Sequence, residues 1–340
     1  MTERPRLTPA MADVRRAIRE NLSDLAPDAV VLVALSGGPD SLALAAGLAF
    51  EAPRAGLLAG AVIVDHGLQE GSDVVANNAA EQARALGLDP VVIRRVKVVA
   101  ASGPEADARS ARYDALHTVA SEMRAVAVLL GHTLDDQAET VLLGLTRGSG
   151  ATSLAGMSEV NGIYRRPLLG IRRTETVAAC EDQGLTVWND PHNHDSSYTR
   201  VRIRHEVMPV LEDQLGPGVA EALARTAEQL KQDAEVLDAL VAEIMPVVMV
   251  PVLGETDHSQ RATLEISSLE SLPAALLNRV IRRSALDVFG VSLSAVHTNS
   301  IARLVSDWHG QGELHVPGIR VERQGAQLVL TASSSTPTEA

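Results

Sequence analysis

The segment "SGGPDS" begins at Ser36, follows an apolar run and opens a stretch with helical spacing. Gly37 and Gly38 would let an anion approach the backbone closely, because neither residue has a Cβ atom. Ser36 and Ser41 would add hydroxyl donors, and a helix beginning after the turn offers free N–H groups. The segment therefore predicts a phosphate site, although it matches neither the Walker loop nor the GxGxxG turn. A plain strand-to-helix turn capped by Asp40 and Ser41 is the alternative.

A second group of polar residues lies in "GHTLDDQAET", which begins at Gly131. On a helix that starts after His132, Asp136 and Glu139 share one face, and so do Asp135 and Glu139. Two carboxylates on one face can bind a cation, whereas the alternative is that they only stabilise the helix N-terminus. A zinc or iron site is disfavoured, because a single histidine is in register and HExxH is absent.

Apolar runs that alternate with helical patterns must position these groups. The runs lie at 30–35, 60–67, 89–98 and 124–132, and helical patterns lie at 11–25, 40–50, 72–86 and 105–122. Apolar strands without alternation, joined by helices, predict an α/β domain with a doubly wound parallel sheet. Asp65 and His66 end the second run, where open sheets of this class bind ligands.

The chain changes character after residue 209, where long helical patterns replace the strands. With 340 residues, two domains are the expectation. We predict a catalytic domain over 1–215 and a mostly helical domain over 216–331 that ends in a β-hairpin around "RQGA". The small polar residues of 332–340 predict a disordered tail.

Charge gives a mixed indication about partners. The net charge of −13 argues against a nucleic-acid partner, because phosphate contacts need clustered Lys and Arg. Segment 160–205 is nevertheless locally basic, with seven arginines against five acidic residues. Such a cluster is either a solvated face or a binding patch.

The remaining composition limits the class of protein. Cys180 is the single cysteine, so it cannot form an internal disulfide or a CxxC pair, and we interpret it as an inert buried thiol. No apolar run reaches transmembrane length, and the polar N-terminus lacks the apolar core of a signal peptide. We therefore expect a cytoplasmic protein without a membrane partner.

The motifs together resemble the PP-loop ATP pyrophosphatases and, within them, the tRNA(Ile)-lysidine synthases. In that family's order the chain has "SGGPDS", "VDHGL" at 64–68, "EADARSARYDAL" at 105–116, "GHTLDDQAET" followed by "RGSG", "RRPLL" at 165–169 and "WNDPHNHDSSYTRVRIRHEVMP" at 188–209. This resemblance covers most of the first 210 residues. The second half is less specifically similar to the family's substrate domain, and the length matches its short form.

The resemblance implies a reaction. Members use ATP, with Mg²⁺, to adenylate the 2-oxygen of the wobble cytidine in an isoleucine tRNA with a CAU anticodon. The ε-amine of free L-lysine then displaces AMP and forms lysidine, which changes decoding from AUG to AUA. Pyrophosphate is the other product, and the family allows a homodimer.

The resemblance also implies roles for residues. ATP and its pyrophosphate would be bound by Ser36, Gly37, Gly38, Pro39, Asp40, Ser41, Asp65 and His66. Lysine would be bound by Arg112, Asp136 and Glu139, while Arg109 is either a further candidate or a surface residue. His132 would contact phosphates or AMP, Asp40 would hold Mg²⁺, and either Asp40 or Asp135 would be the general base. Contacts with tRNA would come from Arg200, Arg204, Arg279, Arg282 and Arg283.

Two other functions fit parts of the pattern. Related enzymes transfer sulfur to tRNA or use ammonia, but sulfur carriers need cysteines and Cys180 stands alone. A nucleotide-binding module without catalysis would use the same loop, but it has no need of the paired carboxylates after His132. Pyrophosphate release that requires both lysine and tRNA would separate these alternatives.

Overall fold

A computed structural model describes residues 8–67, 71–97, 103–148, 150–250 and 260–333. The chain divides into two compact units, Met1–Gln229 and Leu230–Ala340. This division falls later than the predicted boundary at residue 215. Of the predicted tail, residue 332 belongs to a strand, and residues 334–340 lie outside the described residues.

The first unit is built on a six-stranded sheet in the order β3-β2-β1-β4-β6-β5. Its strands are β1 Val30–Ala34, β2 Leu58–Asp65, β3 Val91–Arg95, β4 Ala125–Leu129, β5 Val160–Asn161 and β6 Tyr164–Arg165. All neighbours pair in parallel except β5, which pairs with β6 in the antiparallel direction. The short apolar runs thus form the doubly wound parallel sheet that the sequence predicts.

Helices cover both faces of this sheet. In chain order the helices are α1 Pro9–Asn21, α2 Pro39–Glu51, α3 Ser72–Ala85, α4 Pro104–Glu122, α5 Leu134–Thr146, α6 Ala151–Leu154, α7 Arg173–Asp182, α8 Thr199–Arg202, α9 Met208–Leu215 and α10 Val219–Val248, and α10 continues past residue 229 into the second unit. Residues of α1, α2, α3 and α7 form one core with the sheet, and α4 forms the second core on the opposite face. Burial of both faces explains why the strands read as continuous apolar runs.

The second unit has its own core and a four-stranded antiparallel sheet in the order β7-β10-β9-β8. Its elements are β7 Arg261–Glu265, α11 Ile266–Glu270, α12 Ala274–Phe289, α13 Ala295–Ser306, β8 Leu314–Val316, β9 Ile319–Gln324 and β10 Gln327–Ala332. Strands β9 and β10 confirm the predicted hairpin. Strands β7 and β8 were not predicted as separate strands, because β7 buries three consecutive residues without alternation and β8 has only three residues.

The order of the strands determines where a ligand can bind. Strand β1 lies between β2 and β4, so the chain leaves β1 toward one side and returns on the other. In open α/β sheets such a reversal leaves a crevice at the carboxyl ends of the two central strands. The segment after β1 contains "SGGPDS", and the segment after β4 contains "GHTLDD". Across the described ranges, no helix is long and apolar enough to cross a membrane.

Candidate active site

The loop after β1 is held open by hydrogen bonds among its own residues. The Ser36 N–H donates to Ser41 Oγ at 3.1 Å, and Ser41 Oγ donates to the Gly38 carbonyl at 3.0 Å. Gly37 has a φ of 84°, which residues with a Cβ rarely adopt, and its carbonyl accepts the Trp188 N–H at 2.9 Å. Helix α2 then begins at Pro39 without a side-chain cap, so the N–H groups of its first turn have no capping side chain.

Gly131 brings the loop against the end of β4. A Cβ atom at this position would lie 3.0 Å from the Asp40 carbonyl carbon and 3.0 Å from the Ser41 nitrogen. Any side chain here would push the start of α2 away from β4. The glycine therefore sets the close spacing between the loop and the residues that follow β4.

A cavity of about 460 Å³ opens between these two segments. Its lining includes most of the residues that the sequence assigns to the site, namely Ser36, Gly38, Pro39, Asp40, Ser41, Asp65, His66, Arg112, His132 and Asp136. Gly37, Asp135 and Glu139 lie outside this lining. The cavity is of the size usual for small-molecule and cofactor sites.

Helix α5 presents Asp136 through a capping box. The Thr133 N–H donates to Asp136 Oδ2 at 2.8 Å, and the Asp136 N–H donates to Thr133 Oγ1 at 3.4 Å. The other carboxylate oxygen, Oδ1, accepts from Arg173 at 2.7 Å and from Arg204 at 3.1 Å. Burial favours a raised pKa for Asp136, but these cations and the Thr133 N–H hold its pKa below the usual value.

Asp136 and Glu139 share one face of α5, as predicted, but arginines already pair with both. Glu139 is 1% exposed and accepts from Arg204 Nε at 2.7 Å and Arg204 Nη2 at 3.0 Å. Arg173 Nη1 lies 3.5 Å from Glu139 Oε1. We call Asp40, Asp136 and Glu139, with Arg173 and Arg204, the acidic side of the site.

Asp40 connects the loop to helix α7. Its Oδ2 accepts from Arg173 Nε at 3.2 Å, and its Oδ1 accepts from the hydroxyl of Thr176. Burial raises the pKa of Asp40 above its usual value, although Arg173 and Thr176 oppose the shift. Asp40 is therefore a better proton acceptor than an exposed aspartate.

The structure separates Asp135 from the cavity. Its Oδ2 accepts the Arg173 N–H at 2.7 Å, and its Oδ1 lies 3.0 Å from Arg172 Nη2. Asp135 thus anchors the start of α7 to the start of α5. This position does not support the catalytic role that the sequence left open for it.

The opposite side of the cavity carries donors that have fewer partners. We call His66, Arg109, Arg112 and His132 the basic side of the site; all four line the cavity. Arg112 Nε and the Nδ1 atoms of both histidines are buried and have no hydrogen-bond partner among the described residues. Such atoms are costly in a folded protein unless they gain a partner, and a ligand in the cavity can supply one because all three residues line it.

Burial also sets the charges on the basic side. It lowers the pKa of His132 to about 3, with Arg166, Arg112 and Arg109 contributing and Asp136 opposing. His132 is therefore neutral at physiological pH and can act as a hydrogen-bond partner without adding charge. Burial and the neighbouring Arg109 and Arg200 lower the pKa of Arg112, but an arginine remains charged.

The five arginines predicted to contact tRNA do not form exposed clusters without partners. Arg200 and Arg204 line the cavity and pair with Glu139, so they do not form the exposed patch that segment 160–205 suggested. On α12, Arg279 pairs with Asp238, Arg282 Nε donates to Thr298 at 3.1 Å, and Arg283 pairs with Asp287. Their guanidinium groups therefore point to three different partners.

Arg173, Thr176 and Trp188 belong to the site but were not predicted. Arg173 and Trp188 line the cavity, and Thr176 is fully buried behind Asp40. Their contacts with the loop span more than 130 residues of sequence. The sequence signal that could have found Arg173 was the pair Arg172–Arg173 at the start of α7. From composition alone, we assigned this pair to a basic patch.

Comparison with known proteins gives two family matches. Residues 11–211 match the PP-loop domain, and residues 264–328 match the TilS substrate binding domain. The chain is 57% identical to the tRNA(Ile)-lysidine synthase of Leifsonia xyli over 89% of this chain and 90% of that protein. It is 50% identical to the tRNA(Ile)-lysidine synthase of Thermobifida fusca over 95% of this chain and 98% of that protein.

A solved structure shows the same fold at low sequence identity. The chain resembles the U34-tRNA thiolase NcsA from Methanococcus maripaludis, solved with its [4Fe-4S] cluster, with a TM-score of 0.55 and 20% identity. The match covers 65% of this chain and 78% of that protein. At this identity the likeness supports the fold and nothing further.

Proposed function

The chain belongs to the tRNA(Ile)-lysidine synthase family, and from this premise we propose that it joins free L-lysine to the wobble cytidine of isoleucine tRNA. In the proposed reaction ATP adenylates the cytosine 2-oxygen and releases pyrophosphate. The lysine ε-amine then attacks C2 and displaces AMP. The lysidine formed in a CAU anticodon changes decoding from AUG to AUA.

One observation carries this proposal. A single cavity is lined by the "SGGPDS" loop, by a carboxylate of α5 and by Arg112, whose Nε has no hydrogen-bond partner among the described residues. The loop can bind the phosphates of a nucleotide. The carboxylate and the cation can pair with the ammonium and carboxylate groups of an amino acid. The two substrates can therefore meet in one place, which reduces the entropic cost of their reaction.

The loop supports binding of the ATP phosphates. The N–H groups at the start of α2, together with the hydroxyls of Ser36 and Ser41, form an anion site of the kind found at helix N-termini. Asp65 and His66 lie at the end of β2, where they line the same cavity and can contact the nucleoside.

Asp40 fits a role in holding Mg²⁺ beside these phosphates. Magnesium is commonly bound by one or two carboxylates together with substrate phosphates. Both oxygens of Asp40 accept hydrogen bonds, but each carboxylate oxygen has a second lone pair. The ion would supply neutralisation of phosphate charge.

Lysine would lie between the two sides of the site. Arg112 can pair with the lysine carboxylate, since its guanidinium has no described acidic partner and lines the cavity. The α-ammonium group would pair with Asp136 and Glu139. Because Arg204 now pairs with both carboxylates, lysine binding requires Arg204 to give up part of these contacts.

The proton released by the ε-amine would go to Asp40 rather than Asp135. Asp40 lines the cavity, whereas Asp135 lies outside it and pairs with Arg172 and the N–H of Arg173. A general base must lie within hydrogen-bond reach of the proton that it accepts. Neutral His132 can donate a hydrogen bond to phosphate or AMP oxygens.

The second unit would bind the tRNA. Its match to the substrate binding domain supports this role, and Arg279, Arg282 and Arg283 of α12 stay candidates for phosphate contacts. The homodimer allowed by the resemblance also stays a prediction.

No observation favours the sulfur-transfer alternative. Cys180 is buried in α7, donates to the Pro39 carbonyl at 3.2 Å and has a pKa raised to about 12 by burial. A thiol in this state is a poor nucleophile. The position is that of a structural thiol.

Incorporation of labelled lysine into a CAU-anticodon isoleucine tRNA transcript, with ATP and Mg²⁺, tests the proposed function. We expect incorporation that requires all three substrates, with one AMP and one pyrophosphate formed per lysine. A transcript with a GAU anticodon is the matched control and should accept none. Failure to incorporate lysine by folded protein that binds ATP would refute the proposal.

A further inference from the structure

Arg173 is the side chain of the site that contacts the most carboxylates. Its Nε lies 3.2 Å from Asp40 Oδ2, its Nη2 lies 2.7 Å from Asp136 Oδ1, and its Nη1 lies 3.5 Å from Glu139 Oε1. Each of the three guanidinium nitrogens is thus directed at a different carboxylate. One of these acids belongs to the phosphate loop and α2, and the other two belong to α5.

Helix α7 is tied to both elements that the guanidinium joins. The Arg173 backbone N–H donates to Asp135 at 2.7 Å, which ties the base of the side chain to α5. Thr176, one turn later on α7, donates to the second oxygen of Asp40. The arginine side chain is 23% exposed, so solvent replaces its contacts only in part.

A planar guanidinium cannot change one of these contacts without affecting the others. Its donors are held in a rigid fork, unlike the rotating donors of an ammonium group. An anion at the loop attracts Arg173 toward Asp40 and away from Asp136 and Glu139. The two carboxylates of α5 would then be more available to a cation.

We propose that Arg173 is a positioning residue that links the phosphate loop to the carboxylates of α5, so that binding of ATP raises the affinity for lysine. The inference rests on the proposed function, because it takes ATP and lysine as the two ligands. It adds that they bind with positive coupling through one side chain. Arg173 itself is not required to touch the reacting atoms.

The direction of the coupling follows from charge. Without ligands, Arg173 is the cation that pairs with all three carboxylates, while Arg204 pairs with Asp136 and Glu139 only. The phosphates of ATP add negative charge near Arg173 Nε, and they compete with Asp136 and Glu139 for its positive charge. Coupling between two ligands is reciprocal, so lysine must raise the affinity for ATP by the same factor.

Calorimetric titration of L-lysine, with and without saturating α,β-methylene-ATP and Mg²⁺, measures this factor. For the wild-type protein we expect lysine to bind about fivefold to hundredfold more tightly with the analogue, the usual range for coupled sites. In Arg173→Lys and Arg173→Gln we expect the ratio of the two dissociation constants to approach one. A general loss of packing would weaken binding in both titrations and leave the ratio unchanged.

Arg172→Lys and Arg172→Gln are the matched controls. Arg172 is the neighbouring residue, is similarly exposed and pairs with Asp135 and Glu221, but it does not line the cavity. These variants should keep the wild-type ratio. If the Arg173 variants fail to fold, as judged by thermal melting, the ratio in Asp40→Asn, measured without Mg²⁺ at an analogue concentration that saturates the variant, must fall, because that change removes the loop charge that pairs with Arg173.

Three results would overturn the inference: a wild-type ratio of one, a wild-type ratio in folded Arg173→Lys, or an equal loss in Arg172→Lys. Lysine incorporation into tRNA distinguishes failure of this inference from failure of the proposed function. If wild-type protein incorporates lysine but shows no coupling, only the inference is wrong. If it incorporates none, the assignment of lysine as substrate fails as well.

Discussion

The two sides of the cavity satisfy their polar groups in opposite ways. On the acidic side, Asp40, Asp136 and Glu139 each accept hydrogen bonds or ion pairs from Arg173, and Arg204 pairs with the last two. On the basic side, buried nitrogen atoms of His66, Arg112 and His132 have no partner among the described residues. The acidic side is a complete network, and the basic side is an incomplete one.

This difference separates stability from binding. Buried charges that are paired contribute to a network whose disruption is costly. A buried donor without a partner makes the folded protein less stable than it could be, and it gains its partner only from a ligand. Changes on the acidic side should therefore alter stability, whereas changes on the basic side should alter ligand binding with little loss of stability.

The largest expected effect is a loss of stability in Glu139→Gln. Glu139 contacts three arginines and is almost fully buried, so loss of its charge removes one ion pair from each of those cations. We expect the free energy of unfolding to fall by about 3 kcal/mol, as for other broken buried pairs. Urea denaturation measures it. Glu221→Gln, whose partner is the partly exposed Arg172, should lose about 1 kcal/mol or less.

Arg112→Met should impair the use of lysine without a loss of stability. We expect kcat/KM for lysine to fall about hundredfold, which corresponds to about 2.7 kcal/mol for a charged contact. The free energy of unfolding should stay the same or rise, because a buried cation without an acidic partner is removed. Steady-state kinetics and urea denaturation test the two parts. Arg16→Met, at an exposed arginine of α1 that does not line the cavity, serves as the control; a destabilised Arg112→Met would contradict the comparison.

The pKa of His132 makes the basic side sensitive to acid. Its pKa lies near 3 in the folded protein and near 6.5 in the unfolded chain, so only the unfolded chain binds a proton between these values. The stability present above about pH 6.5 is therefore lost as the pH falls toward 3. Linkage gives a loss of about 2 kcal/mol between about pH 7 and about pH 5. In urea denaturation of His132→Gln, the free energy of unfolding should fall less between these two pH values, and the difference from wild type should equal that amount. An unchanged loss would refute the assignment.

The smallest effect is expected outside the cavity, at Arg282 and Arg283. Both side chains already have partners within the second unit. Like the paired residues of the acidic side, they are therefore less available to a ligand, here RNA. For Arg282→Gln with Arg283→Gln we expect the KM for tRNA to rise about tenfold at low salt, with a shallower dependence on salt. The KM for lysine should not change. Arg320→Gln, an exposed arginine of β9 paired with Glu313, is the control.

Local sequence patterns predicted the framework of the site correctly. The apolar runs predicted β1 and β4, and the motifs after them predicted the loop and the shared face of Asp136 and Glu139. These features depend on residues within a few positions of each other. They could be derived from spacing and backbone geometry alone.

The partners of these residues could not be derived in this way. Arg173 reaches Asp40 across 133 residues, and no local pattern records such a contact. Composition showed that segment 160–205 is basic, but it did not show that Arg200 and Arg204 turn into the cavity. The direction of a charged side chain depends on tertiary packing, which is determined by residues of several elements that are far apart in the sequence.

The capping box of α5 has a spectroscopic consequence. The two oxygens of Asp136 have different partners, since Oδ2 accepts the Thr133 N–H and Oδ1 faces the arginines of the cavity. A ligand that replaces an arginine at Oδ1 changes the charge distribution of the whole carboxylate. The amide resonance of Thr133 must shift in response, so this single backbone proton reports when the site is occupied.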